Sequence, residues 1–345
     1  MALNILITGG CGFLGARLAR TLLAQGTLAL TGGSARPISG ITLADRVPPP
    51  ADLQADARIA YVGGDLNALI EAGQSTGTPW PGAEVDLVYH LAGAVSGECE
   101  ADFDLGMRSN LDAIRALLQA CRVAGNQPVL VFSSSVAVFG DTPEQRLPAV
   151  IEDTSLPTPQ NSYGIQKFIG EQLVADYTRK GFVQGRNVRL MTVSVRPGKP
   201  NGAASGFLSG MVREPLAGQR VVCPVPPDTA VALASPARTV EGLIRAATAS
   251  ASEWGSRTAV NLPALTTTVR EMAAALERVA GPQASALIDW QPDPLIQKMI
   301  TSWPSRFHPA RANQLGLQAD ASFEAIVRAF VAENPAAVKM PLTSN

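Results

Sequence analysis

An apolar run over residues 3–7 is followed by Thr8-Gly9-Gly10-Cys11-Gly12-Phe13-Leu14-Gly15 and then by apolar residues at helical spacing over 16–25. A short apolar run that ends in glycines and passes into a 3.6-residue period predicts a strand, a tight turn and a helix. The alternation recurs down the chain. Strands are predicted over 41–43, 58–62, 85–89, 129–132 and 188–195, and helices over 66–73, 101–123 and 162 to about 180. Residues 27–40, rich in Gly, Ser and Thr, read as an extended loop. Strands alternating with helices predict an α/β fold around a doubly wound parallel sheet, with 188–195 as its last strand. Beyond 198 the chain is interrupted by Pro-rich turns and carries helical periods over 238–249, 269–280 and 322–332. The expected organisation is therefore a main domain over 1–197 and a smaller α+β substrate-binding region over 198–345.

Glycines 9, 12 and 15 give the first turn a chemical meaning. The first lets the chain turn off the strand end, the second lets backbone N–H groups approach a pyrophosphate, and the third lets the helix press against the sheet. The phosphates are then expected at the N-terminus of the helix that Phe13 and Leu14 open, where orphan N–H groups and the helix dipole favour anions. The second strand runs on to Asp45. A carboxylate there accepts hydrogen bonds from the adenine ribose and repels a 2'-phosphate, so NAD is expected rather than NADP, with Arg46 as a neighbouring positive charge. The next two strands end at Gly64-Asp65-Leu66 and His90-Leu91-Ala92-Gly93. Ligands of open parallel sheets lie outside the carboxyl ends of the strands, which places Asp65 and Leu66 by the adenine and Leu91, Ala92 and Gly93 by the ribose and phosphate. Asp65 also fits a helix N-cap.

Tyr163 and Lys167 stand at i and i+4 and so share one helix face. A lysine ammonium beside a phenol stabilises the phenolate, lowering its pKa from about 10 towards working pH. Tyr163 then acts as a general base on a substrate hydroxyl, and Ser135, from the serine cluster 133–135, holds that hydroxyl. Asn110 is the polar exception inside an apolar helical period; it faces either water or a buried partner.

Composition narrows the partners. The formal net charge is -1 with no run of Lys or Arg, which leaves no electrostatic footprint for nucleic acid or an anionic membrane surface. No apolar run reaches membrane-span length and the N-terminus enters the first strand directly, so a cytoplasmic protein is expected. Four cysteines without Cys-x-x-Cys spacing and two histidines suggest neither a metal site nor a disulfide framework. Cys11 reads as small filler within the glycine loop and His90 as a packed residue.

The order of glycine loop, acid after the second strand, serine cluster, then Tyr and Lys resembles the extended short-chain dehydrogenase/reductase family, the NAD-dependent epimerase/dehydratase group. The resemblance covers nearly the whole chain. It implies a Rossmann-type fold, NAD as cofactor, Tyr163 as base, Lys167 as ribose ligand and phenol tuner, and Ser135 as substrate polariser. It also assigns Ser133, Asn110 and Pro197 to the cofactor side of the site, and implies a homodimer built on the helices beginning near Ala101 and Tyr163. Members that dehydrate sugars carry an Asp-Glu pair after the serine; here Val136 and Ala137 follow. Members acting on nucleotide sugars carry an Arg-Asp that is missing from the stretch 230–238, and the loss of one bidentate anchor argues against a diphosphate substrate. The segment 196–207 is similar to a subgroup that oxidises small sugar acids at carbon 2 of a four-carbon aldonate, for which Asn201, Ser205 and Arg238 are the candidate carboxylate donors. A nucleotide-sugar 4-epimerase and a non-catalytic dinucleotide sensor are the alternatives.

Overall fold

The structure, a computed structural model, describes residues 2–76, 84–198 and 202–343. Its main sheet has Leu3–Thr8 near the centre. On one side lies Arg36–Asp45 and beyond it Ile59–Gly63; on the other lie Leu87–His90, Val129–Ser135, Gln184–Leu190 and Val260–Asn261. Leu3–Thr8 pairs in parallel with both Arg36–Asp45 and Leu87–His90, and Leu87–His90 pairs in parallel with Val129–Ser135. The chain therefore winds outward in one direction, returns to the centre and winds outward in the other. The strand order reverses between Thr8 and His90, and at such a switch point the connections diverge and leave a crevice.

The helix Ala113–Ala124 covers one face of this sheet. Ile114, Leu117 and Leu118 are buried with Val88, Leu130 and Phe132, which fixes the face that the strand ends present. Phe13–Gln25 buries Leu18, Ala19 and Leu22 and ends at Gly26, whose φ of 66° is the left-handed cap that only glycine adopts readily.

Four sequence expectations are corrected. Residues 27–40 are not an extended loop: Thr27–Leu28 forms an antiparallel pair with the start of the ten-residue strand Arg36–Asp45, of which 41–43 is only a part. Its polar half is legitimate strand because Ser39 donates to Leu3 O at 2.9 Å while Ile38 is buried. The serines 133–135 do not follow their strand but complete it. The single helix expected over 101–123 is a succession of Ser96–Ala101, Phe103–Gly106, a π-helical turn Met107–Asp112 and Ala113–Ala124, broken where Asp102 caps the second piece through Leu105 N. The strand expected over 188–195 ends at Leu190; Thr192–Val193 joins a different sheet, pairing with Leu233 and Ala234.

Contacts gather the chain into two compact units. One comprises 1–135, 162–189 and 240–260, the other 136–161, 190–239 and 261–345, so the chain crosses between them repeatedly, whereas the sequence reading carries one boundary at 197/198. The second unit is built on Ala230–Ala234, flanked by Thr192–Val193 and Leu265–Thr268. Its core joins Val212, Leu216, Leu233, Leu276 and Val327. The helices Pro236–Thr248, Val269–Ala280 and Phe323–Glu333 lie within two residues of the periods read from sequence.

Candidate active site

The glycine loop is defined by side chains that have no room. Gly9 has φ 68°, and a Cβ there would lie 2.7 Å from Ala92 N, across the crevice at the reversal of strand order. A Cβ on Gly15 would overlap Gly9 O and reach within 2.6 Å of Gly10 Cα, so the helix sits directly on the turn. Gly10, which the spacing argument passed over, is equally confined: its Cβ would meet Ile7 O at 2.7 Å and Leu43 Cδ2 at 2.8 Å. Gly12 differs. It is exposed, and the one atom near its Cβ position is Gly9 O at 3.3 Å. As the N-cap of Phe13–Gln25 it offers no side-chain acceptor, and the first turn holds no acidic residue. The orphan N–H groups of that helix end are thus left for an external anion.

Gly9, Gly12, Asp45, Asp65, Leu66 and the backbone of 91–93 line one cleft of about 240 Å³. Asp45 Oδ2 accepts from Cys11 N at 3.0 Å and Asp45 Oδ1 from Val47 N at 3.3 Å, which aims the carboxylate along the rim of the loop. Asp65 caps the helix Leu66–Thr76 through Asn67 N at 3.0 Å, so its capping role is present whatever else it does. Burial, and Asp45 after it, raise the Cys11 thiol to about 11 and keep it protonated, which suits filler rather than a reactive group. The residues present fit a dinucleotide: a backbone cradle for phosphates, a carboxylate for ribose hydroxyls and a cleft between them.

The second half of the site is made of buried polar side chains. Lys167, 4% exposed, stands on the helix Ser162–Arg179 and donates to Ser133 O at 2.9 Å. Its Nζ lies 5.0 Å from the centre of the Phe132 ring and 5.7 Å from that of Tyr163. Burial lowers its pKa to about 8, opposed in part by Cys99. The ammonium is therefore held in a poorly solvated place, where a phenolate is its natural counter-charge. Tyr163, on the same helix, is only half-buried.

The three serines separate by what they bond. Ser133 Oγ donates to His90 O at 2.9 Å, and Ser134 Oγ to Glu171 Oε1 at 2.5 Å; both residues are buried. Ser135 is the half-buried one, at the carboxyl end of its strand. His90 is fully buried, with Nδ1 2.7 Å from Thr8 Oγ1, and burial followed by the charge of Lys167 lowers its pKa to about 3. It is a neutral packed residue, stacked on Phe132.

Asn110 has a buried partner after all. Its Oδ1 accepts from Ala94 N at 2.9 Å, while Nδ2 donates to Gln166 Oε1 at 2.9 Å and to Ala94 O and Cys99 Sγ at 3.2 Å. Sequence reasoning missed three contributors here. Gln166 and Glu171 share the helix of Lys167, and Arg189 grips Glu171 with Nε and Nη2 at 2.8 and 2.7 Å in a buried, bidentate ion pair. The only advance signal for Glu171 is its place four residues after Lys167, on the same face.

The remaining sequence candidates fall in the second unit. Ser205 is 7% exposed and precedes the helix Gly206–Leu216. Arg238 is half-buried in the first turn of Pro236–Thr248, where its N–H is capped by Ser235 Oγ at 3.2 Å. Pro197 is half-buried before Gly198, whose φ is 82°. Asn201 lies outside the described residues.

Residues 5–229 match the NAD dependent epimerase/dehydratase family. D-erythronate dehydrogenase of Cupriavidus necator is 47% identical over 329 residues, 95% of this chain and 98% of that one. D-erythronate dehydrogenase of Haemophilus influenzae is 38% identical over 329 residues, 95% of this chain and 99% of that one. The crystal structure of the nucleoside-diphosphate-sugar epimerase from Agrobacterium tumefaciens, 40% identical, covers 97% of this chain and 95% of its own with a TM-score of 0.86.

Proposed function

Because the chain belongs to the NAD dependent epimerase/dehydratase family, we propose that it oxidises D-erythronate to 2-dehydro-D-erythronate with NAD. The reading rests above all on the Lys167 ammonium, buried 5.7 Å from the centre of the Tyr163 ring. Tyr163 takes the proton of the carbon-2 hydroxyl, Ser135 holds that oxygen, and the charge of Lys167 favours the phenolate that does the work. When NAD is bound, its nicotinamide accepts the hydride from carbon 2, so one alcohol becomes one ketone with release of NADH and a proton. The glycine loop holds the pyrophosphate and Asp45 the adenine ribose, with NAD preferred over NADP. Leu66, Leu91, Ala92, Gly93, Asn110, Ser133 and Pro197 complete the proposed cofactor contacts. Asn201, Ser205 and Arg238 are the proposed donors to the substrate carboxylate, each open to test by alanine substitution through KM for the acid.

The protein is further proposed to act as a cytoplasmic homodimer. Among the described residues no helix is long and apolar enough to cross a membrane. Phe103, Ile165 and Ile169 are 61%, 46% and 38% exposed on the helices Phe103–Gly106 and Ser162–Arg179, which pack together and present these apolar groups outward. Phe103→Glu is expected to give a monomer by analytical ultracentrifugation.

A nucleotide-sugar 4-epimerase, the enzymatic alternative from the sequence, uses the same three residues and returns the hydride, so it releases no NADH; the Agrobacterium protein is described as a nucleoside-diphosphate-sugar epimerase. Incubation with NAD and three- to six-carbon aldonates, with a UDP-sugar in parallel, separates the two. The dehydrogenase reading expects NADH and a 2-oxo acid from D-erythronate; isomerised sugar with no NADH from any acid would overturn it.

A further inference from the structure

Gln166 sits between Tyr163 and Lys167 in sequence, is 2% exposed, and does not face the cleft. Its Oε1 accepts from Asn110 Nδ2 at 2.9 Å. Asn110 in turn holds both backbone polar groups of Ala94, the residue that follows the strand-end loop 91–93 of the cofactor cleft. The order of contacts is thus loop, Ala94, Asn110, Gln166, helix of Tyr163 and Lys167.

Space around this chain is closed on both sides. A Cβ on Gly93 would lie 2.6 Å from Asn110 Oδ1 and 3.6 Å from Lys167 Nζ; one on Gly106 would lie 2.6 Å from Gln166 Nε2. The Gln166 amide is therefore sandwiched, and its Nε2 meets no hydrogen-bond partner among the described residues. A buried amide that leaves a donor unsatisfied is costly and, on stability alone, inferior to an apolar side chain of the same size. Asn110 itself lies in the π-helical turn Met107–Asp112, the irregularity that carries its amide into reach of both Ala94 and Gln166.

We infer that Gln166 is a positioning residue, a clamp that acts through Asn110 to set the catalytic helix against the strand-end loop and so fixes where Lys167 stands relative to Tyr163 and the cofactor. This rests on the reading of Tyr163 and Lys167 given above. Without the accepting oxygen, the Asn110 amide keeps Ala94 but loses its hold on the helix. The helix that carries Tyr163 and Lys167 is then no longer tied to the loop through this bond, Lys167 is less firmly placed, and the phenolate is stabilised less well.

The test uses Gln166→Met, which keeps length and apolar volume and removes the acceptor. Tyr163 is titrated by tyrosinate absorbance, as the difference between each protein and the same protein carrying Tyr163→Phe. NAD affinity is measured by calorimetry, and turnover with D-erythronate as a function of pH. The clamp requires the Tyr163 titration and the acid limb of the rate profile to move up together by about one pH unit, with NAD binding weakened about tenfold. It also requires Asn110→Ala and Gln166→Met to be non-additive, the double variant being no worse than the poorer single one. Unchanged titration and affinity, or additive losses, would overturn it. Should Gln166→Met fail to fold, Gly106→Ala displaces the same amide from the other side and must give the same shifts. Titration and NAD binding need no substrate: if they move while wild-type protein oxidises no aldonate, the dehydrogenase reading fails and the clamp stands.

Discussion

Along the glycine loop the groups offered to a ligand are backbone N–H groups, and the sequence controls them by leaving side chains out. Around Lys167 the same unit does the reverse: Asn110, Gln166, Glu171 and Arg189 are all buried and all hydrogen-bonded. The first region works by side-chain atoms left out at Gly9, Gly10 and Gly15; the second works by polar side chains kept in place at a cost in stability. On the proposed function the difference follows from what each must hold. A pyrophosphate is a large anion that a helix end and a turn recognise through backbone geometry, whereas a proton transfer needs one phenol and one ammonium at a fixed separation, which only packed side chains supply.

Two glycines sharpen that contrast. Gly15→Ala drives a Cβ into Gly9 O and is expected to lower stability by about 3 kcal/mol, a typical loss for overpacking, as read by chemical denaturation. Gly12→Ala has only Gly9 O at 3.3 Å to contend with. It should fold with stability within about 0.5 kcal/mol of wild type, as for a surface change, yet bind NAD more than tenfold more weakly by calorimetry. Equal effects of the two substitutions would mean that the loop is a structural turn and no cradle.

Lys167→Met probes the other region. A buried lysine whose pKa falls from 10.5 to about 8 binds fewer protons folded than unfolded, so it lowers stability in full below about pH 8 and less as pH rises towards 10.5. Removing it should raise stability at pH 7 by about 3 kcal/mol from the shift. The lost bond to Ser133 O takes back about 1 kcal/mol. The gain should fade by pH 10.5 in thermal melts, while turnover is abolished. A variant destabilised at pH 7 would show that the ammonium has a counter-charge in the free protein.

The smallest effect is expected at the far end of the cleft. On its proposed role, Asp45→Ala removes ribose hydrogen bonds worth about 1 kcal/mol and the repulsion of a 2'-phosphate, so kcat/KM with NAD should fall several-fold while that with NADP holds or rises. A parallel fall with both cofactors would assign Asp45 to supporting the loop through Cys11 N.

These regions were not equally legible in the sequence. The glycine spacing, Asp45 and the Tyr163–Lys167 pair are local patterns, and local patterns carry their geometry with them. The strand Arg36–Asp45 was hidden because Pro37, Ser39 and Gly40 read as loop until Leu3 O accepts from the serine. Nothing in helix propensity announces a π-helical turn, and the bond from Asn110 to Gln166 joins residues 56 positions apart. Asn110 was visible as a polar exception; its partner was not, because a glutamine inside a helix looks like an ordinary surface residue. The choice among the serines was likewise a matter of tertiary bonds, with Ser133 turned to His90 O and Ser134 to Glu171.

The central claim is that the Tyr163 face removes the hydroxyl proton while hydride leaves carbon 2 of the acid. D-erythronate carrying deuterium at carbon 2, incubated with NAD and wild-type protein or Tyr163→Phe, tests it directly by mass spectrometry of the reduced cofactor. The account predicts one deuterium in each NADH formed by wild type, and a rate lower by about a thousandfold in the variant. NADH without the label, or a Tyr163→Phe protein as fast as wild type, would contradict it.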